Sequence, residues 1–255
     1  MNISYYTAVP AMNAFQQDLD VTANNMANVG TNGYKSMRSD FNDLLYTQMD
    51  MRPEAQVGHG VKNNGPGTAF GQGIFRKTGR ALDFAVSGKA FFAIRTSEDE
   101  EEPAYTRDGA FQISSTEDGN YLTTSDGSYV LDWDGEPIEL EYKAAKDSRG
   151  DDTGELDLDS IAGRLGLFVC ENPEGLIHAG SNLFRSGQTS GEWMSIEDLD
   201  EDQEKSAVMT RTLEMSNADM STEMVNLMQT QRAFQLNSRI VSTADQMEEM
   251  INNLR

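Results

Sequence analysis

The sequence predicts an α+β protein, in which a mainly antiparallel β body is flanked by long N- and C-terminal α-helices. Apolar residues recur with heptad spacing at both ends of the chain, and Asp-Gly turns recur through its middle. The formal net charge of −22 divides into −3 for residues 1–50, −17 for residues 51–205 and −2 for residues 206–255. Nearly neutral ends and an acidic middle are typical of packing helices attached to a solvated body.

The first thirty residues have the spacing of an amphipathic helix, because apolar side chains recur every three or four positions. The repeat consists of Tyr5, Ala8, Met12, Phe15, Leu19, Thr22, Met26 and Val29. Pro10 interrupts this repeat, so we expect it to mark the first turn, with residues 1–9 extended or kinked. The turn residues that follow Asn28 predict that the helix ends near Gly30.

Residues 206–255 repeat the pattern over a longer stretch. From about residue 219 to residue 254 there is neither Gly nor Pro, and Ser216, Asn217 or Asp219 is suited to cap the helix. A helix of that length at a chain end needs a partner, so we predict that the two terminal helices pair in a coiled-coil-like arrangement. The predicted seam residues are Met12, Phe15, Leu19, Met26, Met220, Met224, Leu227, Phe234, Val241 and Ile251.

The middle of the chain has the pattern of an antiparallel sandwich or barrel, in which short β-rich segments alternate with Asp-Gly turns. These turns lie at 108–109, 118–119, 126–127 and 134–135, and the first is a strong hairpin signal. Strands are expected over 82–86, 90–96, 104–107, 110–114 and 165–170. The predicted domains are a terminal helical assembly domain (1–46 and 206–255), a linker (47–81), a β-rich body (82–191) and an acidic connector (192–205).

Composition and motif content exclude several functional classes. Acidic residues outnumber basic ones by 42 to 20, which disfavours nucleic acids and anionic membrane surfaces as partners. There is no run of the roughly 18 apolar residues that a transmembrane helix needs, and the N-terminus lacks the features of a secretory signal. Cys170 is the only cysteine, so neither an internal disulfide nor a Cys-based zinc site is expected. With no phosphate-binding loop or catalytic constellation either, we predict no cofactor, no metal and no enzymatic activity.

One turn combines several unusual residues. Residues 23–35 read Ala-Asn-Asn-Met-Ala-Asn-Val-Gly-Thr-Asn-Gly-Tyr-Lys. A helix C-terminus followed by a turn accounts for part of this pattern. Asparagine amides both donate and accept hydrogen bonds and therefore suit polar helix–helix contacts, and Gly33 can adopt a left-handed conformation without penalty.

At these residues the sequence resembles the bacterial flagellar rod and hook protein family. Residues 23–35 are similar to the family's N-terminal motif, and residues 40–46 are similar to its rod members. Its body motifs resemble residues 82–92 and 105–111, and its C-terminal motif resembles residues 213–220 and 231–238. Within the family, the length and the leading segment are most similar to the distal rod type. The candidate assembly motif is Asn24, Asn25, Asn28, Gly33, Tyr34 and Lys35.

The resemblance implies a structural subunit of the flagellar basal-body rod, the axial tube that transmits motor torque to the hook. The family fold pairs the terminal helices in an inner domain around a central channel, with the β body outside. The implied partners are further copies of the chain in a helical homopolymer, neighbouring rod and hook proteins, and the flagellar type III export apparatus. No nucleic acid and no membrane insertion are implied. The implied location is the basal body, outside the cytoplasm in the cell envelope, reached without a cleaved signal peptide.

Other functions remain open at this point. A hook or proximal rod component would belong to the same family. A cell-wall glycosidase would need two carboxylates at a defined separation in a cleft, and hydrolysis of peptidoglycan would distinguish it. A coiled-coil adaptor or export chaperone would leave the β-body motifs unexplained. The acidic run 98–102 is interpreted as a solvated hairpin loop, and segment 141–160 matches no pattern.

Overall fold

The described residues of the computed structural model are 3–49, 52–96, 102–116, 119–140, 160–196 and 206–254. The chain forms two compact units. The helical unit comprises residues 1–29, 36–69 and 218–255, and the body unit comprises residues 30–35 and 70–217. The predicted α+β class is confirmed, because helices lie at both ends of the chain and the described strands pair antiparallel.

The described elements follow the chain in this order. The helices are α1 (Ile3–Ala27), α2 (Ile161–Arg164) and α3 (Met220–Asn253). The strands of the first part of the chain are β1 (Met37–Asp43), β2 (Tyr46–Met49), β3 (Arg52–Gly58), β4 (Val61–Thr68), β5 (Phe75–Lys77), β6 (Phe84–Ser87), β7 (Phe91–Arg95) and β8 (Ala104–Thr106). The later strands are β9 (Gln112–Thr116), β10 (Gly119–Thr123), β11 (Tyr129–Val130), β12 (Leu167–Cys170), β13 (Ile177–Gly180), β14 (Leu183–Arg185), β15 (Trp193–Ser195), β16 (Ala207–Thr210) and β17 (Thr212–Glu214).

Helix α1 passes through Pro10, so the prediction that the helix starts there is wrong. A proline inside a helix removes one hydrogen bond and costs about 3 kcal/mol. Ala8 and Ala14, on either side of it, are almost fully buried, and α1 packs against β1 and β4. Burial of the turns on both sides of Pro10 explains why the helix continues. The helix ends at Ala27, close to the predicted stop at Gly30.

Helix α3 begins after Asp219, one of the three predicted caps. The Asp219 carboxylate accepts a hydrogen bond from the Thr222 backbone N–H at 2.9 Å, as expected of an N-cap. Within the helical unit, α3 contacts α1 through two polar pairs, Asn25 with Glu223 and Asp18 with Thr230. From the first pair to the second, the residue number falls by seven in α1 and rises by seven in α3. The two helices therefore run antiparallel.

The two units divide the chain differently from the predicted domain boundaries. Much of the predicted linker, residues 47–81, forms strands. Strands β3 and β4 lie within it, and in the helical unit they pair with β2 and β1 respectively. Residues 206–217 belong to the body unit, because β16 pairs with β6 and β17 pairs with β5. These pairings join segments far apart in sequence, which a local reading of Gly- and Asn-rich composition does not anticipate.

In the body unit, nine of the described strands form one sheet, with the order β13-β14-β8-β7-β11-β10-β9 and with β12 joining β7 to β15. Successive side chains of a strand point to opposite faces, and β7 supplies both sides. Phe92 and Ile94 lie in the main apolar cluster with Phe111, whereas Phe91 lies in a second cluster with Phe184. The sheet therefore packs apolar side chains on both of its faces.

Three of the four Asp-Gly turns connect paired or bridged segments, but the strongest predicted hairpin, at 108–109, is wrong. Strand β8 pairs with β7 and β14, and β9 pairs with β10, so the segments flanking 108–109 do not pair with each other. Gly109 instead meets β6: its carbonyl accepts from the Phe84 N–H at 3.0 Å, and a Cβ there would lie 1.8 Å from the Phe84 oxygen. The glycine serves a close backbone approach. Two sequence features lie mostly outside the described residues: residues 98–101 of the acidic run 98–102, and residues 141–159 of segment 141–160.

Candidate assembly site

The candidate assembly motif is divided between the two units. Asn24 and Asn25 lie in the last turn of α1 and Asn28 directly follows the helix, all three in the helical unit. Gly33, Tyr34 and Lys35 belong to the body unit, where all three are buried.

Asn25 ties α1 to two other elements of the helical unit. Its side-chain N–H groups donate to the Met37 carbonyl at 2.8 Å and to Glu223 Oε1 at 3.0 Å. Its side-chain oxygen, Oδ1, accepts from the Met37 N–H at 2.8 Å. Asn25 is 2% exposed. The amide thus acts as a clamp on the backbone of β1 and on α3. The polar helix–helix contact expected of these asparagines is present here, within one chain.

Asn24 and Asn28 act more locally. The Asn28 amide donates to the Asn24 carbonyl at 3.0 Å and to the Asn24 side-chain oxygen at 2.7 Å. These bonds occupy an acceptor in the last turn of α1, where backbone carbonyls lose their helical partners. Asn24 is exposed, which makes it a matched control for Asn25.

Replacing Asn25 by aspartate is expected to lower the free energy of unfolding by about 2–3 kcal/mol, because the variant loses both amide donors and faces Glu223 with a second carboxylate. Denaturant unfolding followed by circular dichroism measures the loss. Asn24→Asp, at an exposed position in the same turn, is expected to change the free energy by less than about 1 kcal/mol. Equal effects of the two substitutions would contradict the clamp.

In the body unit, Lys35 lies in a buried cluster of charges. Its Nζ is 2.6 Å from Glu214 Oε1 and donates to the Gly71 carbonyl at 2.8 Å. The Gly73 N–H donates to the same carboxylate oxygen at 2.8 Å, and Arg107 Nη1 lies 3.5 Å from Glu214 Oε2. We call Lys35, Arg107 and Glu214 the charge lock. Its side chains are 2% exposed or less, and they tie together four segments that are distant in sequence.

Burial has a clear electrostatic consequence in the charge lock. Desolvation lowers the pKa of Lys35, and the attraction of Glu214 only partly opposes that shift. Burial likewise lowers the pKa of Arg107, whose guanidinium lies 4.6 Å from the centre of the Phe91 ring. One buried carboxylate thus serves two buried cations, and the ring face offers the second cation additional attraction.

Gly33 and Tyr34 fit the chain around the charge lock. Gly33 has a φ of +66°, and a Cβ at this position would lie 2.5 Å from the Arg107 carbonyl carbon. Its N–H donates to the Glu214 backbone carbonyl at 2.8 Å, and the Tyr34 carbonyl accepts from the Asn217 N–H at 3.3 Å. The glycine is therefore required both for the left-handed backbone and for the close approach.

The sequence analysis missed Glu214 and Arg107. Glu214 stands between Leu213 and Met215 in a short apolar stretch, and a carboxylate in such a strand is a signal that a buried cation accompanies it. Its partner Lys35 is 179 residues away in the sequence. That pairing is non-local, so the signal identifies the type of partner and not the residue.

The predicted seam residues occupy two different environments. Seven of them are partly buried: Met12, Phe15, Leu19, Met26, Leu227, Phe234 and Val241. Met220, Met224 and Ile251 are exposed. Glu223, Thr230 and Ala244 are the buried residues of α3, and they share one helix face with Leu227, Phe234 and Val241.

The opposite face of α3 is a second, uncovered apolar surface. Its residues recur every three or four positions and are all exposed, and we call them the outer stripe. The outer stripe consists of Val225, Met228, Arg232, Leu236, Arg239, Thr243, Met247 and Met250. Leu236 is 59% exposed and Met250 is 58% exposed. Large apolar side chains in a row on a long helix mark an interaction surface.

Within the described residues, no helix is both long enough and apolar enough to cross a membrane. The outer stripe contains two arginines, and α3 as a whole carries further charges.

Three family models of flagellar proteins match successive segments of the sequence. The family model described as flagella basal body rod protein matches residues 6–35. The model for the flagellar hook protein FlgE/F/G D1 domain matches residues 85–156, and the model for the flagellar basal body rod FlgEFG protein C-terminal region matches residues 209–254. The flagellar basal-body rod protein FlgG of Bacillus subtilis (strain 168) is 33% identical, over 99% of this chain and 98% of the relative. The chain belongs to the FlgG-type flagellar basal-body rod family.

Other relatives from the rod family agree. FlgG of Borreliella burgdorferi is 33% identical over 98% of this chain and 97% of the relative. The flagellar hook-basal body complex protein FlhP of Bacillus subtilis is 31% identical over 99% of both chains. The resemblance predicted from the sequence is therefore confirmed. The rod-protein match contains the N-terminal motif at 23–35, including the Asn25 clamp and Lys35 of the charge lock.

Proposed function

We propose that this chain is a structural subunit of the bacterial flagellar basal-body rod. It polymerises through its terminal helices into the axial tube that transmits motor torque to the hook. The outer stripe of α3 carries the proposal, because a row of exposed apolar side chains along a 34-residue helix requires a covering surface. The full-length similarity to rod proteins supplies the biological setting.

Stacking identical subunits in a tube requires two different surfaces on each subunit that fit each other. The outer stripe offers one such surface, because it faces away from the internal seam that joins α1 to α3. We infer that α1 and α3 pair in a coiled-coil-like inner domain around a central channel. The seven-residue step between the two polar pairs is consistent with heptad packing.

The candidate assembly residues divide between two roles in this proposal. Leu227, Phe234 and Val241 hold α3 to α1. Met220, Met224 and Ile251 are exposed in the single chain, and we infer that neighbouring subunits cover them. The N-terminal motif shapes each subunit for assembly: the Asn25 clamp fixes α1, and the charge lock fixes residues 30–35 in the body unit.

The proposal includes the partners and location that belong to such a subunit. These are further copies of the chain, adjacent rod and hook proteins, and the flagellar type III export apparatus, which delivers the chain outside the cytoplasm without a cleaved signal peptide. The role is mechanical and not enzymatic. Long packed helices suit it, since torque transmission requires stiffness along the tube.

A second candidate within the same family is a hook-adjacent or proximal rod component. The 31% identity to the hook-basal body complex protein FlhP favours it. The two candidates differ in where along the axial structure the subunit lies.

Electron microscopy of basal bodies from a strain that lacks this gene tests the proposal. We expect an axial structure that stops before the hook, and a full structure when the wild-type gene is returned. The point at which the structure stops distinguishes a distal rod subunit from a proximal or hook-adjacent one. Complete rods and hooks in the deletion strain would contradict the proposal.

A further inference from the structure

The helical unit contains a polar cleft between α1, β1 and α3. The cleft has a volume of about 410 Å³, and polar side chains, including Asp18, Asn25, Arg38, Ser39 and Glu223, form much of its lining. A cavity of this size has room for a side chain in addition to water. The cleft is therefore large enough to admit a group from another molecule.

Two groups of the cleft have bonding capacity left. The Ser39 hydroxyl is buried and has no hydrogen-bond partner among the described residues. Asp18 accepts from the Thr230 hydroxyl at 2.6 Å, but within the described residues no cation lies at ion-pair distance from it. Helix α1 itself contains no Lys or Arg. Arg38 of the lining lies 3.6 Å from Asp40. The Asp18 carboxylate and the buried Ser39 hydroxyl beside the open space are therefore suited to a further cationic hydrogen-bond donor.

The outer stripe supplies such donors. Arg232 and Arg239 lie seven residues apart, so they project from the same face of α3. Both are exposed, and neither pairs with a carboxylate in the described part of the chain. A guanidinium has five N–H donors, which can engage a carboxylate and a neighbouring hydroxyl together.

These arginines cannot serve the cleft of their own chain. Thr230 and Glu223 border the cleft from the face of α3 that meets α1, whereas Arg232 and Arg239 lie on the opposite face. The Asp18 carboxylate and the two stripe arginines of one helical unit are thus on surfaces that face apart. A helical polymer brings such surfaces together, because it joins one patch of a subunit to a different patch of the next.

We propose that the cleft beside Asp18 accepts an arginine of the outer stripe, Arg232 or Arg239, from a neighbouring copy of this chain. This inference rests on the proposed polymerisation and adds the contact that sets the stagger between subunits. Apolar contacts along the stripe tolerate sliding, since the same kind of side chain recurs every turn or two. A guanidinium in a polar cleft has one position, and its displacement leaves a desolvated charge without a partner.

Charge substitutions in the purified full-length protein test the contact. Asp18→Asn keeps an acceptor for the Thr230 hydroxyl and removes the charge, so the monomer is expected to keep its stability. We expect the critical concentration for polymerisation, measured by sedimentation, to rise about threefold or more. Asp20→Asn is the matched control, because Asp20 is exposed on the same helix outside the cleft. Its critical concentration is expected to equal that of the wild type.

Cross-linking locates the contact without relying on energies. In a Cys170→Ser background, one population carries Asp18→Cys and a second carries Arg232→Cys or Arg239→Cys. We expect a disulfide dimer between the populations on assembly, for one of the two arginine positions. No dimer at either position, together with a normal critical concentration for Asp18→Asn, would overturn the inference. If the wild type itself forms no polymer and enters no rod, the proposed function fails instead.

Discussion

Replacing Glu214 by glutamine is expected to lower the free energy of unfolding by about 3–5 kcal/mol, the range for breaking a buried ion pair by removing one partner. The change keeps the shape of the side chain and removes its charge. Lys35 and Arg107 then remain buried as two cations without an anion. Denaturant unfolding monitored by tryptophan fluorescence measures the loss, since Trp193 is in the body unit.

The charge lock also predicts an asymmetry between its members. Lys35→Met is expected to cost less than Glu214→Gln, because Arg107 remains to balance the carboxylate. Glu192→Gln is the matched control: it is the same substitution at an exposed position of the same unit, with an expected change below about 0.5 kcal/mol. A loss at Glu214 no larger than at Glu192 would contradict the assignment of the lock.

Leu236→Asp is expected to abolish assembly while leaving the monomer folded. The side chain lies in the outer stripe and is 59% exposed, so the monomer loses less than about 1 kcal/mol, which reflects helix propensity. In the polymer the aspartate would be buried against a neighbouring subunit without a partner, which is strongly unfavourable. Sedimentation of the purified variant and its failure to restore swimming to a deletion strain measure the effect.

A substitution in the seam separates the two faces of α3. Phe234 is partly buried in the face that meets α1, so Phe234→Asp is expected to destabilise the helical unit by about 2–4 kcal/mol as well as prevent assembly. The body unit should keep its own fold. Gln231→Asp, exposed on the flank of α3, is the control for added charge. Normal assembly of Leu236→Asp would contradict the role of the outer stripe.

The terminal helices could be predicted because their signals are local. Heptad spacing, the absence of Gly and Pro, and a capping carboxylate at Asp219 all act within a few residues of the elements they determine. Pro10 misled the prediction, since the packing of Ala8 and Ala14 is a tertiary effect. Asp108-Gly109 misled it for a similar reason: the glycine is needed for contact with β6, not for a hairpin.

The assembly role of residues 23–35 stays a prediction, and the chemistry of these residues within the chain was not anticipated. The motif at 23–35 was identified from its asparagines and glycine, and the structure gives Asn25 and Lys35 specific partners within the chain. Glu223 and Glu214 are each nearly two hundred residues away from those partners, so no local pattern could assign them. The second face of α3 was missed for another reason. A heptad search selects one stripe, and α3 has apolar residues on both faces.

The central claim is that neighbouring copies cover the outer stripe of α3. The most direct test is chemical labelling of Leu236→Cys in a Cys170→Ser background with a maleimide. Cys170 is the only cysteine of the natural sequence, so its replacement leaves the cysteine introduced at position 236 as the single thiol that the maleimide can label. We expect rapid labelling of the monomer and strong protection in isolated rods. Equal labelling in the two states would contradict the account, because the stripe would then stay exposed after assembly.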